Sequence, residues 1–324
     1  MTTPQHRIGS GFGARSTTEE VLRGIDLTDT FAVVTGGYSG LGLETTRALA
    51  RAGATVMVPA RRRATAEEAL AGIEGVEVDE MDLVDLDSIR AFADRLLASG
   101  RPIDLVINNA GIMACPETRV GPGWEAQFAV NHLGHYALVN RLWPAIAQGG
   151  ERGGGRVVSV SSNGHQLSDI HWEDPQFARG YDKWRAYGQA KTANALFAVG
   201  LDALGRDAGV RAFSVHPGTI ATQLARHVSK EEMVAAGWIN ENGTWAASFK
   251  TPEQGAATQV WAATSPQLAG AGGVYCEDCD IAEPAGEGEL IAGVRTYATD
   301  PGAAERLWRL SADLTGVNAF ATAG

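Results

Sequence analysis

The feature that most restricts this chain lies near its start. The short apolar run Phe31-Ala32-Val33-Val34 leads into Thr35-Gly36-Gly37-Tyr38-Ser39-Gly40-Leu41-Gly42, and a helical stretch from Leu41 to Ala52 follows, with a stop signal at Gly53. A strand that ends in closely spaced glycines and turns at once into a helix lets the backbone approach a pyrophosphate. The helix N-terminus supplies unpaired N–H groups and a partial positive charge. Gly36, Gly40 and Gly42 suit that role, with Ser39 and Leu41 beside them. A plain tight turn would explain the glycines alone; their place between a first strand and a first helix points to nucleotide binding.

The alternation continues along the chain. Strands are expected at Thr55 to Val58, Val76 to Met81, Ile103 to Ile107, Arg156 to Ser161, Val210 to Val215 and Gly273 to Tyr275. Between them lie helical stretches at Thr65 to Ala71, Leu86 to Ala98, Trp124 to Trp143 and Trp184 to Leu204, with a closing helix from Ala303 to Leu314. Apolar strands separated by helices predict an α/β protein with a doubly wound parallel sheet of about seven strands, covered on both faces. No internal repeat or domain boundary interrupts the pattern, and the glycine-rich run from Gly149 to Gly155 reads as a surface loop. The expectation is one domain over residues 29–324, preceded by a polar lead-in (1–28) whose first dozen residues are mobile.

Bulk properties exclude several classes. A net charge of −11 and the confinement of dense basic charge to Arg61-Arg62-Arg63 argue against a nucleic-acid partner. Three cysteines are too few for a disulfide scaffold, and no apolar run reaches spanning length or forms a signal core, so a cytoplasmic protein without a membrane partner is expected.

Chemistry enters with Tyr187-Gly188-Gln189-Ala190-Lys191, read together with Ser162. Tyrosine and lysine four apart share a helix face, and an ammonium beside a phenol favours the phenolate. A serine hydroxyl can hold a substrate oxygen while the nucleotide site supplies a hydride donor or acceptor. These parts describe alcohol/carbonyl redox. At the end of the second strand the chain has Ala60-Arg61, where an NAD site usually places a carboxylate for the ribose 2′-hydroxyl. Arg61, with Arg62 placed to share the work, suits a 2′-phosphate, so NADP(H) is expected over NAD(H). Asp82 is placed to accept from the adenine amino group, and the small residues of Asn108-Asn109-Ala110-Gly111 let a cofactor lie against the backbone.

With these motifs, Asp82-Leu83, Ile112-Met113, Val130-Asn131-His132-Leu133-Gly134-His135, Val160-Ser161-Ser162 and His216-Pro217-Gly218, the chain resembles the short-chain dehydrogenase/reductase superfamily over almost its whole length. Within it, the resemblance is to the retinol-dehydrogenase-like and WW-domain-oxidoreductase-like group. It implies a Rossmann fold and an active tetrad of Asn131, Ser162, Tyr187 and Lys191, the second serine of the pair being the one the family uses. Tyr187 would exchange the proton, Ser162 hold the oxygen, Lys191 lower the phenol pKa and hold the nicotinamide ribose, and Asn131 anchor a water linking Lys191 to solvent. Leu83, Asn109, Ala110 and Gly111 would line the cofactor, and Pro217, Gly218, Ile220 and Thr222 would cap its nicotinamide.

The 25-residue spacing from Ser162 to Tyr187 adds a segment with His165, Asp169, His171, Trp172, Glu173 and Asp174; it lacks helical metal-ligand spacing and is expected to flank the substrate mouth. Cys276-Glu277-Asp278-Cys279 is half a zinc pattern without its other half, and reads as a turn after the last strand. Substrate contacts are expected between Thr219 and about Phe249, where Leu224, Met233, Trp238, Ile239, Trp245 and Phe249 suggest an apolar or aromatic small molecule. Leu307, Trp308 and Leu310 in the tail fit the core face of the closing helix better than a substrate wall. Two other functions remain open: reduction of a conjugated carbon–carbon double bond, as in protochlorophyllide reductase, and a non-catalytic nucleotide sensor, against which the intact tetrad counts.

Overall fold

The computed structural model describes residues 3–286, 288 and 290–321. Its strands are β1 (Phe31–Val34), β2 (Thr55–Ala60), β3 (Val76–Glu80), β4 (Leu105–Asn108), β5 (Arg119–Val120), β6 (Trp124–Glu125), β7 (Gly155–Val160), β8 (Val210–His216), β9 (Val274–Glu277) and β10 (Asp280–Ile281). Eight of them form one sheet in the order β10-β9-β8-β7-β4-β1-β2-β3, parallel except for the β9–β10 hairpin; β5 and β6 make a separate small hairpin. The helices are α1 (Thr18–Val21), α2 (Gly40–Arg51), α3 (Arg63–Leu70), α4 (Leu86–Ala98), α5 (Ala126–Phe128), α6 (Gly134–Glu151), α7 (Lys183–Gly205), α8 (Lys230–Ala235), α9 (Pro252–Thr264) and α10 (Pro301–Thr315).

The central strands are apolar on both faces because helices cover both. Val34, Val56, Ile107 and Val158 pack with Leu49 of α2 and Trp261 of α9, while Val33, Val106 and Val157 pack with Phe92 of α4 and Leu142 of α6. Strand order reverses between β1 and β4, and the crevice there, outside the carboxyl ends of the strands, is where doubly wound sheets bind ligands.

Two expectations need revision, the turn expected after a last strand ending at Tyr275 and the single helix expected from Trp124 to Trp143. The sheet has eight strands, because Asp278 and Cys279 form a two-residue hairpin turn, both at positive φ (50° and 58°), that carries the chain back as β10. Cys276 therefore sits inside β9. The helix expected from Trp124 to Trp143 is divided into β6, α5, a π turn at Ala129–Leu133 and then α6, which runs on through Pro144 to Glu151. Burial of Leu142, Ala145 and Ile146 against the sheet outweighs the proline's missing N–H. Within the polar lead-in, residues 5–10 are hydrogen-bonded to the sheet edge. The Gln5 amide donates to the carbonyls of Tyr275 and Ala282 and accepts from the Tyr275 N–H, and the Asp280 carboxylate accepts the N–H groups of Ile8, Gly9 and Ser10. A polar segment gives no hydrophobic signal for such docking. As expected for the core face of a closing helix, α10 lies on α7, with Trp308 stacked on Phe197 at 5.7 Å.

Candidate active site

Three strand ends meet at the crevice. After β1, Gly36 and Gly40 take positive φ (63° and 51°), and α2 begins at Gly40 with the Ser39 side chain capping none of its N–H groups. Those donors face the cavity. A Cβ on Gly42 would lie 2.2 Å from the Gly36 carbonyl oxygen and 2.5 Å from the Asn109 Nδ2, and one on Gly36 would lie 3.1 Å from Ala110 Cα. The turn is therefore packed backbone on backbone, which only glycine permits. The Thr35 hydroxyl accepts the N–H groups of Asn109 and Ala110, each at 3.0 Å, and so ties the turn to the end of β4.

After β7, Ser161 and Ser162 diverge. Ser161 Oγ donates to the Lys191 carbonyl at 2.7 Å and serves the framework. Ser162 Oγ accepts the Gly164 N–H at 3.0 Å, donates to Asn163 Oδ1 at 3.2 Å, and lies beside the Tyr187 phenol on the cavity wall. The phenol ring rests on bare Gly164: a Cβ there would stand 2.6 Å from the ring. Tyr187 and Lys191 lie one turn apart on α7, which Asp182 starts by accepting the Trp184 and Arg185 N–H groups.

Lys191 Nζ donates to the Val160 carbonyl at 2.9 Å and lies 5.7 Å from the Tyr187 ring centroid. Burial pushes the phenol up to about 12, a shift the nearby Ser162 hydroxyl opposes, and burial brings the lysine down to about 7. The sequence expectation was a phenol lowered by its lysine. Desolvation acts against the charged form of both groups and is the larger effect here.

Asn131 lies behind this pair, in the π turn. Its side chain accepts the Ile112 N–H at 2.9 Å and donates to the Ile112 carbonyl at 3.0 Å, holding the segment after β4. A Cβ on Gly111 would be 3.1 Å from Asn131 Oδ1 and 3.7 Å from Lys191 Nζ, so the asparagine and the ammonium are neighbours.

One cavity of about 470 Å³ gathers Gly36, Ser39, Gly40, Leu41, Asn109, Ala110, Gly111, Ser162, Tyr187, Lys191, Pro217, Gly218, Ile220 and Thr222. Asn131 is not in its wall. Asp82 and Leu83 follow β3, where one Asp82 carboxylate oxygen accepts the Val84 N–H and the Leu83 carbonyl packs on Gly134. Arg61 and Arg62, at the end of β2, are exposed and make no ion pair among the described residues, whereas Arg63 is paired with Glu67 at 2.7 Å. The glycine cradle and the uncapped helix start fit the pyrophosphate of a dinucleotide; Arg61 and Arg62 are not in the cavity wall.

The outer wall is apolar. Leu224, Trp238, Trp245 and Phe249 line it as expected; Met113, Leu167, Trp184 and Leu290 were missed, as were Tyr38 and Gly164 on the inner side. Trp184 and Trp238 meet edge to face at 6.0 Å. Met233 and Ile239 pack behind the wall. The segment after Ser162 contributes Leu167 to the mouth, but its histidines face elsewhere: His165 Nε2 accepts the Arg295 N–H, and His171 pairs with Ser168 and Arg185. Cys276 and Cys279 are buried, and burial raises both thiols, Cys279 to about 11.

Comparison with known proteins agrees with this geometry. The short chain dehydrogenase family model matches residues 30–233. A probable oxidoreductase of Streptomyces lividans is 45% identical over 89% of this chain and 98% of its own length. Mouse retinol dehydrogenase 11 is 35% identical over 90% of this chain and 88% of its own. A candidate NAD(P)-dependent gluconate 5-dehydrogenase of Beutenbergia cavernae, solved with NADP at low occupancy, superposes with a TM-score of 0.60 and 25% identity, covering 78% of this chain and 96% of that one. The glycine turn, the serine–tyrosine–lysine cluster and these relatives together place the chain in the short-chain dehydrogenase/reductase family, in its retinol-dehydrogenase-like group, as an oxidoreductase acting on CH–OH donors with a nicotinamide cofactor.

Proposed function

We propose that the protein is an NADP(H)-dependent oxidoreductase that interconverts an alcohol and a ketone or aldehyde on an apolar or aromatic small molecule. One observation carries this reading: Tyr187, beside Ser162 and one helical turn from Lys191, lines the same cavity as the glycine turn. The bound cofactor supplies or accepts the hydride.

The protein's own residues do the rest. Ser162 holds the substrate oxygen beside the phenol. Tyr187, protonated at neutral pH because burial disfavours its phenolate, gives its proton to the carbonyl oxygen in reduction and takes one from the alcohol in oxidation. Lys191 holds the nicotinamide ribose, and its ammonium stabilises the phenolate while Tyr187 is without its proton. Asn131 braces the segment behind the ammonium through Ile112. Arg61 and Arg62 donate to a 2′-phosphate, Asp82 accepts from the adenine amino group, and Pro217, Gly218, Ile220 and Thr222 cover the nicotinamide. The aromatic wall of Trp184, Trp238, Trp245 and Phe249 selects apolar substrates and excludes water. No described helix is long and apolar enough to cross a membrane.

Reduction of a conjugated double bond is the competing chemistry. Ser162 at the phenol favours a carbonyl oxygen, and the relatives are named as oxidoreductases and retinol dehydrogenases. NADPH consumption measured against aryl ketones, aldehydes and an α,β-unsaturated ketone tests the proposal. The expected enone product is the allylic alcohol; a saturated ketone would overturn the carbonyl assignment.

A further inference from the structure

Directly after the π turn, α6 carries a buried histidine that touches neither the cavity nor solvent, and nothing in the proposed reaction uses it. His135 Nε2 lies 2.8 Å from the Thr35 hydroxyl, and its Nδ1 lies 3.0 Å from the Asn131 carbonyl. The placement of its hydrogen can be worked out. The Asn109 and Ala110 N–H groups already donate to Thr35 Oγ1 and use both of its lone pairs. The hydroxyl hydrogen must go outward, either to His135 Nε2 at 2.8 Å or to the Ile107 carbonyl at 3.4 Å, and the shorter contact is the stronger. Nε2 is then an acceptor and Nδ1 carries the hydrogen that the Asn131 carbonyl accepts. The opposite tautomer would aim three donors at one hydroxyl oxygen and set a ring lone pair against a carbonyl lone pair.

The chain so formed runs from the β4 end, through Thr35 at the nucleotide turn, through the imidazole, to the backbone of Asn131. A π turn takes carbonyls out of the regular helical ladder and leaves them to find other donors. His135 Nδ1 reaches one carbonyl of that turn, that of Asn131, at 3.0 Å. We propose that His135 is a positioning residue for the reaction: as the neutral Nδ1–H tautomer it locks the Asn131 backbone to the nucleotide-binding turn, and so fixes the surroundings of the Lys191 ammonium. This rests on the oxidoreductase reading only for its effect on turnover; the tautomer and the link stand on geometry alone. Burial lowers the imidazole to about 4, and the Lys191 charge acts in the same direction. The other titratable neighbour is His132, lowered to about 3, so the ring has no acid partner to hold it protonated.

Two measurements test the proposal. The first is nitrogen NMR of the wild-type protein with labelled histidine, which needs no substrate. His135 is expected to show the neutral Nδ1–H pattern throughout pH 5–9, a range on the order of the span over which free histidine titrates. An Nε2–H tautomer, or protonation within that range, would overturn the link. The second compares His135→Phe, which keeps the ring volume and loses both bonds, with His135→Gln, whose amide can donate to Asn131 and accept from Thr35. In His135→Phe, kcat for aryl-ketone reduction should fall about tenfold or more with substrate KM nearly unchanged, and the pH profile of kcat should shift. His135→Gln should recover most of the rate and restore the profile. Equal damage in both variants, or a folded His135→Phe with wild-type kcat and pH profile, would overturn the positioning role. Retention of the tautomer in a protein with no carbonyl reductase activity would leave the link standing and count against the proposed reaction.

Discussion

The inner and outer halves of the crevice are built by different means. The inner half, from the turn after β1 to the ends of β4 and β7, is made of backbone: glycines at van der Waals limits, N–H groups at a helix start, and one hydroxyl gathering two amides. The outer half is made of side chains contributed by segments far apart in sequence, namely Met113, Leu167, Trp184, Trp238, Trp245, Phe249 and Leu290. Its loop is secured at the base by a bridge between Ile220 and Lys250 and by the Lys250 ion pair with Asp278 at 2.7 Å, and along its length by the Lys183–Glu232 ion pair at 2.6 Å and by the Arg15 guanidinium donating to the Ala247 and Phe249 carbonyls. A backbone-built half recognises what every cofactor of its class shares. A side-chain-built half can be recast by substitution without moving the sheet, so specificity belongs there.

The largest expected break in this contrast comes from Gly42→Val. Its Cβ would overlap the Gly36 carbonyl, and the turn must move, so NADPH affinity should fall by about a hundredfold or more. Calorimetric titration checks this, and near-normal affinity would show that the backbone packing is not what shapes the site.

Acid should act on the framework beneath both halves. His132, His135, His165 and His216 are buried, with pKa values lowered by burial to about 3, 4, 4 and 3. A depressed histidine favours the folded state while neutral, so its contribution is complete above the unfolded value near 6.5 and is lost as pH falls from there towards the folded value. Each group costs up to about 1.4 kcal/mol per pH unit in that window. Denaturant unfolding should show stability falling steeply between about pH 6.5 and 4; a flat profile would contradict the burial of these rings.

Cofactor choice tests whether the inner half extends to the exposed arginines. Wild type should favour NADPH over NADH by about ten- to hundredfold, less in high salt because Arg61 is exposed. Ala60→Asp with Arg61→Ile should reverse the preference, as measured by titration with both cofactors. Equal affinity in wild type would remove Arg61 from the site.

A smaller change is expected at the outer half. Trp184→Ala removes the edge-to-face partner of Trp238 and should raise KM for an aryl ketone by about fivefold to tenfold, with NADPH affinity unchanged. A matching loss of NADPH affinity would mean that the two halves are not separable.

The same contrast explains what the sequence disclosed. The turn from Thr35 to Gly42, the Ser162 position and the Tyr187–Lys191 pair are local patterns whose chemistry depends on spacing, and they converge on one cavity. Tyr38 and Gly164 were missed because their roles depend on surfaces brought close by folding: Tyr38 on the cavity wall, and Gly164 under a phenol twenty-three residues later in the chain. Leu290 reaches the mouth from beyond the last strand, which no local pattern signals. The docking of Gln5 at the sheet edge was equally hidden, since its hydrogen bonds go to backbone groups that any residue carries. The depressed lysine and raised phenol also depend on burial, which the four-residue spacing does not reveal.

The central claim is that Tyr187 exchanges the proton while the backbone-built half holds the cofactor independently of it. The most direct test measures NADPH affinity and single-turnover NADPH oxidation, with an aryl ketone, in wild type and Tyr187→Phe. The account predicts affinity within about twofold of wild type and a rate lower by roughly 10² to 10⁴, since a positioned acid contributes about that much. A phenylalanine variant that turns over near the wild-type rate would contradict it.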